Sequence, residues 1–154
     1  QLRREVDLSA RESRQFSLVS IALDPLKDEF ARHGEPARER VLESLGSLIR
    51  GNTRAMDSSC RLGADRFAVL LSGVGLATAH SRMEGLRRQC ATQIVALAGK
   101  EVGFTVSMGV ASFPHTASTK DELLTACVAA LDDALKRGGN RVALASIQFQ
   151  AVPQ

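Results

Sequence analysis

Two residues in the middle of the chain have side chains that suit guanine recognition. Arg54 and Asp57 lie three residues apart in a stretch that we predict to be a turn. A guanidinium can donate two hydrogen bonds to O6 and N7 of guanine, and a carboxylate can accept from N1–H and N2–H of the same base. The pair could therefore bind a guanine base from one side. The alternative is an exposed ion pair without a function, worth about 0.5 kcal/mol.

The elements that must position this turn alternate between strands and helices. Strands are predicted over 16–23, 58–62, 67–71, within 101–113 and over 142–149. Helices are predicted over 36–50, 77–97 and 119–137, the last with a capping box and a glycine stop. Residues 1–15 are polar and are predicted to form a helix that leads in from an upstream domain. Residues 16–154 are predicted to form one domain, a βαββαβ α/β sandwich with a central, mostly antiparallel sheet flanked by helices.

The tip of the predicted hairpin carries a recognisable signature. It reads Gly63, Ala64, Asp65, Arg66 and Phe67. This resembles the Gly-Gly-Asp/Glu-Glu-Phe signature of the GGDEF (diguanylate cyclase) family. The strand at Ser107-Met108-Gly109-Val110-Ala111 and the close at Gly138-Gly139-Asn140-Arg141-Val142 are also similar to that family. The resemblance covers 16–142, and it implies a nucleotidyl-cyclase-like fold and an allosteric product site for cyclic di-GMP at Arg54-x-x-Asp57.

The resemblance also implies that the catalytic site is degenerate. The family's first metal-binding carboxylate falls on Ala22, and the acid after Asp65 falls on Arg66, which is expected to pair with Asp65. Asp24 is the only nearby acid that could replace Ala22. The positions that read guanine or hold phosphate in the family fall on Phe30, Glu39, Leu135 and Gly139. We therefore expect no catalytic residues, no metal site and no diguanylate cyclase activity.

The intact product site instead predicts a receptor. Arg54 and Asp57 are expected to bind cyclic di-GMP, a bacterial second messenger in processes such as biofilm control, and no cofactor is required. The family's second binding arginine falls on Gly85. The candidates to replace it are Arg82, Arg87 and Arg88.

The partners expected from this resemblance are an upstream sensor domain in the same chain and, on ligand binding, a second protomer or an output protein. Two alternatives remain open. One is a ligand-independent dimerisation or docking scaffold, and the other is a weakly active diguanylate cyclase.

Composition narrows the class of protein further. Sixteen of the 20 cationic residues are arginine, the net charge is +3, and the chain has no Trp or Tyr with which to stack bases. Nucleic-acid binding is therefore not expected. No apolar run reaches the ~20 residues of a membrane span and no signal peptide is visible, so we expect a cytoplasmic fragment without membrane contact of its own. The three cysteines are expected to be reduced thiols.

Overall fold

The computed structural model of the protein describes Arg4, Leu8, residues 14–27 and residues 34–146. Most of the lead-in helix predicted over 1–15 lies outside the described residues, and so does Phe30. The strands are β1 (Phe16–Leu23), β2 (Ser58–Leu62), β3 (Arg66–Ser72), β4 (Val95–Leu97), β5 (Lys100–Val102), β6 (Val106–Phe113) and β7 (Val142–Leu144). The helices within 34–146 are α1 (Gly34–Gly51), α2 (Leu76–Thr92) and α3 (Lys120–Lys136).

Five of the strands form one mixed sheet in the order β2-β3-β1-β6-β7. Neighbouring strands are antiparallel except for β6 and β7, which are parallel. The central strand, β1, pairs with β3 on one side and with β6 on the other, and all eight of its residues are buried. A continuous apolar run suits such a strand because both of its faces are covered. The predicted sandwich with a largely antiparallel central sheet is confirmed.

Side chains of β1 alternate between two apolar layers, as strand geometry requires. Val19 and Ile21 pack into the layer covered by α1 and α2. Phe16 and Leu18 pack into the opposite layer, which α3 covers. The hairpin of β2 and β3 lies at one edge of this sheet, where most residues of β3 are buried and none of β2 is. None of the helices in the described part of the chain is long and apolar enough to cross a membrane.

The region after α2 differs from the predicted pattern. The helix ends at Thr92 rather than at residue 97, and β4 and β5 form a separate two-stranded sheet. Ala98 and Gly99 join the two strands with positive φ angles of 49° and 79°, as a type I′ turn requires. Ile94, which falls within the predicted helix, lies just after its actual end and is 58% exposed. The prediction was wrong because the apolar spacing of this short stretch fits a helix and a strand equally well.

The last helix follows its sequence signals, whereas the last strand is shorter than predicted. Thr119 Oγ1 accepts a hydrogen bond from the N–H of Glu122 at 3.2 Å, and Gly138 and Gly139 adopt positive φ angles just after the helix. The Thr119 N-cap of the predicted capping box and the glycine stop are confirmed. The strand predicted over 142–149 ends at Leu144; its final residues, 147–149, lie beyond the described range.

Replacing Gly109 with alanine should destabilise the fold by about 3 kcal/mol. Gly109 lies in β6, where a Cβ atom would overlap the main chain of α3 at Cys127 and Leu131. Gly85→Ala is the matched control, because no atom lies within 4 Å of a Cβ at that helical position and alanine favours helix by about 1 kcal/mol. The measurement is urea unfolding of both variants. Equal stabilities would show that α3 does not pack this closely against the sheet.

The thiols should differ in reactivity. All three cysteines are free; Cys90 and Cys127 are buried, and Cys60 is half-buried. Burial raises the pKa of the Cys90 and Cys127 thiols to about 12, so neither forms a reactive thiolate near neutral pH. We expect a disulfide reagent at pH 8 to modify Cys60 alone in the native protein and all three thiols after unfolding. Rapid native modification of a second thiol would contradict this packing.

Candidate functional site

Asp57 organises the turn that carries Arg54. The Asp57 side chain has no exposed surface. Its Oδ2 atom accepts from the main-chain N–H of Arg54 at 2.8 Å, and its Oδ1 atom accepts from the N–H of Ser72 at 3.0 Å. The N–H of Asp57 donates in turn to the main-chain oxygen of Arg54 at 2.9 Å. One carboxylate thus closes the turn and attaches it to the end of β3.

Arg82 of α2 supplies a third donor to this carboxylate. Its Nη2 atom donates to Asp57 Oδ2 at 2.9 Å and to the main-chain oxygen of Asn52 at 3.0 Å. Its Nη1 atom is buried and has no hydrogen-bond partner among the described residues. The Asn52 amide donates to Leu48 O and to Gln89 Oε1, both at 2.7 Å. The end of α1, the turn and α2 therefore share one polar network.

Arg54 itself is exposed. Its guanidinium forms no hydrogen bond or ion pair with any residue that the structure describes. The alternative of a surface ion pair between the two side chains is therefore wrong. The Asp57 carboxylate accepts from two main-chain N–H groups and from Arg82, and ligand binding by both residues stays a prediction. Asp57 positions the turn, while Arg54 presents the available charge.

The other two candidate arginines, Arg87 and Arg88, lie more than one turn beyond Arg82 on α2. Arg87 donates to both carboxylate oxygens of Glu84 at 2.8 and 3.1 Å and to Asn140 Oδ1 at 2.9 Å. Hydrogen bonding to Arg87 lowers the pKa of Glu84. Arg88 is 73% exposed and lies 3.7 Å from the same carboxylate. Of the three arginines, only Arg82 is hydrogen-bonded to the turn.

A surface cavity of about 580 Å³ borders the turn. Its walls come from residues 55–58, from the end of β3, and from Leu8, Arg14 and Gln15 ahead of β1. Arg54 does not line it. Met56 does, and it is 62% exposed. The turn therefore has a concave, partly apolar surface beside it, in addition to its charged residue.

The hairpin tip lies at the opposite end of β2 and is held against α1 by two ion pairs. Arg38 of α1 places Nη2 2.9 Å from Asp65 Oδ2 in the tip. Arg61 of β2 donates to both oxygens of Glu39 in α1, at 2.8 and 3.2 Å, and this hydrogen bonding lowers the pKa of Glu39. Asp65 thus pairs with Arg38. The prediction that it would pair with the adjacent Arg66 was wrong.

Arg61 also fixes the main chain of the tip. Its Nε atom donates to Gly63 O at 3.3 Å and its Nη2 atom donates to Ala64 O at 2.8 Å. Gly63 has a φ of 68°, which glycine adopts without strain. Phe67 is buried in the core layer under α1. The signature residues are therefore fixed by their own hairpin and by α1.

The end of β1 has no side-chain oxygen at Ala22, the position where the resemblance implies a metal ligand. Ala22 pairs in register with Arg66 on β3 and with Ser107 on β6. A cationic residue is thus its cross-strand neighbour. Among the described residues, no group of three or more His, Cys, Asp or Glu side chains could hold a metal ion.

Asp24 does not replace the missing ligand, because its carboxylate has three other partners. It accepts from Ser107 Oγ at 2.6 Å, from Thr105 Oγ1 at 2.7 Å and from the N–H of Asn140 at 2.8 Å. A Cβ atom on Gly139 would lie 2.8 Å from Asp24 Oδ1. That family phosphate-binding position is therefore packed against Asp24 and has no room for a side chain.

Arg38, Arg61 and Asn52 contribute to these sites without having been predicted. Arg61 immediately precedes the hairpin tip and Arg38 precedes Glu39, so adjacency to identified residues is the one available signal. Asn52 follows α1 and has no comparable signal. Its role depends on the packing of α2 against α1.

Comparison with known proteins identifies the class of protein. The model of the GGDEF family, described as diguanylate cyclase, GGDEF domain, matches residues 1–141. The chain therefore belongs to the GGDEF family, and the predicted resemblance is confirmed.

Individual relatives agree with this assignment. Diguanylate cyclase A of Treponema denticola is 26% identical over 139 residues, which are 90% of this chain and 38% of that protein. The bifunctional diguanylate cyclase/cyclic di-GMP phosphodiesterase MucR of Pseudomonas aeruginosa is 29% identical over 139 residues, 90% of this chain and 20% of MucR. This chain thus spans well under half of each.

Among solved structures, the isolated GGDEF domain of TpbB (YfiN) from Pseudomonas aeruginosa superposes with a TM-score of 0.84 at 28% identity. The match covers 94% of this chain and 85% of that one. The fold is therefore that of a GGDEF domain.

The residues at the hairpin end do not fit the Mg²⁺ ions that diguanylate cyclase chemistry needs. Mg²⁺ prefers several hard oxygen ligands in octahedral geometry. Here Ala22 offers none, Asp24 is used by three donors, and Asp65 is paired with a guanidinium.

Asp57→Ala should destabilise the domain by about 3 kcal/mol, because it leaves two main-chain N–H groups and the Arg82 guanidinium without their buried acceptor. Arg54→Ala should change stability by less than about 0.5 kcal/mol, because the exposed guanidinium has no described partner. Urea unfolding of the two variants provides the comparison. If Asp57→Ala were as stable as Arg54→Ala, Asp57 would not organise the turn.

Proposed function

We propose that this GGDEF domain is a catalytically inactive receptor for cyclic di-GMP that binds its ligand at the Arg54 turn. The observation that supports this proposal is an exposed arginine, without a described partner, on a turn fixed by a buried carboxylate. A guanidinium suits both guanine acceptors and phosphate oxygens. Because the turn is held in place before binding, little conformational entropy is lost when the ligand binds.

Arg82 is the second arginine that we assign to this ligand. It contacts the turn through Asp57, and its buried Nη1 atom lacks an acceptor among the described residues. A buried donor without a partner costs about 1–3 kcal/mol. A phosphate or guanine oxygen of a bound ligand would supply that acceptor after a small adjustment of the side chain.

Three residue positions support the proposed loss of catalysis. The metal-ligand position is Ala22, the acid after Asp65 is Arg66, and the position at Gly139 is packed against Asp24. Each change removes electrostatic stabilisation that a GTP-condensing transition state would need. No cofactor is required for the proposed receptor.

Signal output would follow from the network around the turn. Arg82 connects the turn to α2, and Asn52 connects α2 to the end of α1. A ligand that favours one arrangement of these helices would shift the populations of the domain. We expect the signal to pass to an upstream sensor domain, a second protomer or an output protein.

A docking scaffold that binds no nucleotide is the second candidate. It is favoured by the internal contacts of Asp57, which a purely structural turn would also need. A weakly active diguanylate cyclase is the third candidate. It would require a metal ion at the hairpin end despite Arg38 and Arg66.

Isothermal titration of cyclic di-GMP should give micromolar or tighter binding to the natural domain and at least about tenfold weaker binding to Arg54→Ala, because one such contact contributes about 1–3 kcal/mol. Arg137→Ala is the matched control, since it removes an exposed arginine at the end of α3, on the other face of the sheet, and should leave affinity unchanged. GTP serves as the control ligand.

Three results would contradict the proposal. Absence of binding to the natural domain would favour the docking scaffold. An equal loss of affinity in the Arg54 and Arg137 variants would indicate general attraction between charges. Formation of cyclic di-GMP from GTP with Mg²⁺ or Mn²⁺ would favour the weak cyclase.

A further inference from the structure

We propose that Arg38 is a built-in cation that occupies the place of a divalent metal ion at Asp65 and so closes the remnant of the catalytic site. A positive charge therefore lies beside Asp65, in addition to the absence of acids at positions 22 and 66. This inference concerns the hairpin end of β2 and does not depend on ligand binding at Arg54.

The first argument is the reciprocal arrangement of charge. Helix α1 contributes Arg38 and Glu39 at consecutive positions, and the hairpin contributes Asp65 and Arg61. In one ion pair the helix supplies the cation and the hairpin the anion. In the other ion pair these roles are reversed. Breaking one pair leaves the other to hold the hairpin against the helix.

The second argument is that the tip is fixed in this orientation by main-chain contacts. Arg61 holds the carbonyl oxygens of Gly63 and Ala64, and the carbonyl oxygen of Asp65 accepts from the N–H of Leu23 at 3.2 Å. The Asp65 carboxylate is therefore held next to α1. Arg38 contacts it there while both side chains keep more than a third of their surface exposed, 37% and 38%.

The third argument is electrostatic. A divalent ion bound to Asp65 must displace Arg38 or lie within a few ångströms of its charge, with Arg66 adjacent in sequence. Repulsion at such a distance should reduce affinity by on the order of tenfold even in a watery environment. Restoring only the lost acids would therefore leave metal binding weak, because Arg38 would still compete for Asp65.

The test asks whether the positive charge at position 38 is what weakens metal binding. In a variant with Ala22→Asp and Arg66→Glu, Arg38 is replaced either by Gln, which keeps hydrogen-bonding reach without charge, or by Lys, which keeps the charge. Mn²⁺ is titrated, and paramagnetic broadening of main-chain amide resonances locates and quantifies binding. We expect the Arg38→Gln form to bind about tenfold more tightly than the Arg38→Lys form, with broadening centred on residues 63–66.

Asp65→Asn in the Arg38→Gln background is the control for location, and it should abolish that broadening. Equal Mn²⁺ affinity of the Gln and Lys forms would overturn the proposal, as would broadening centred elsewhere. If the double-acid variant does not fold, Arg38→Gln and Arg38→Lys are compared in the natural sequence. There, equal broadening at 63–66 would overturn it, and stronger broadening in the Gln form would support it.

Discussion

The buried carboxylate of Asp57 is the interaction on which the candidate ligand site depends. Three donors converge on it, from the Arg54 turn, from the end of β3 and from α2. A buried charge is tolerated only when its partners are in place, so the three elements are fixed relative to one another. The Arg54 guanidinium forms no hydrogen bond or ion pair with the described residues, so the main chain of the turn sets its position.

Asp24 likewise fixes neighbouring elements at the end of β1. It accepts three hydrogen bonds, and its carboxylate leaves no room for a side chain at Gly139. Asp24, two residues after Ala22, is thus part of the structural framework. The five residues of β2 join this end of the sheet to the Arg54 turn over about 17 Å. At one end of that strand Arg54 is exposed. At the other end, two ion pairs, Arg38–Asp65 and Arg61–Glu39, join the hairpin to α1. This contrast supports the proposal of a ligand site at one end of β2 and no Mg²⁺ site at the other.

Local sequence signals correctly predicted the elements whose ends are marked by glycine or by a helix-capping residue. The Gly63 turn, the Thr119 N-cap and the glycine stop after α3 each act over a few residues, and each was correct. The β4–β5 hairpin was missed because Ala98 stands where Asn or Asp would mark a type I′ turn. The partner of Asp65 was also missed. Contact with Arg38 depends on how α1 meets the hairpin, which no local pattern encodes, and the burial of the Asp57 side chain depends on α2 in the same way.

The most direct test of the receptor account is a titration of the isotopically labelled domain with cyclic di-GMP, followed by the chemical shifts of its main-chain amides. The account predicts saturable shifts centred on residues 54–57 and on α2 around Arg82, with small changes at the hairpin tip around Asp65. Shifts centred on the tip and the start of α1, or no saturable shifts at all, would contradict it.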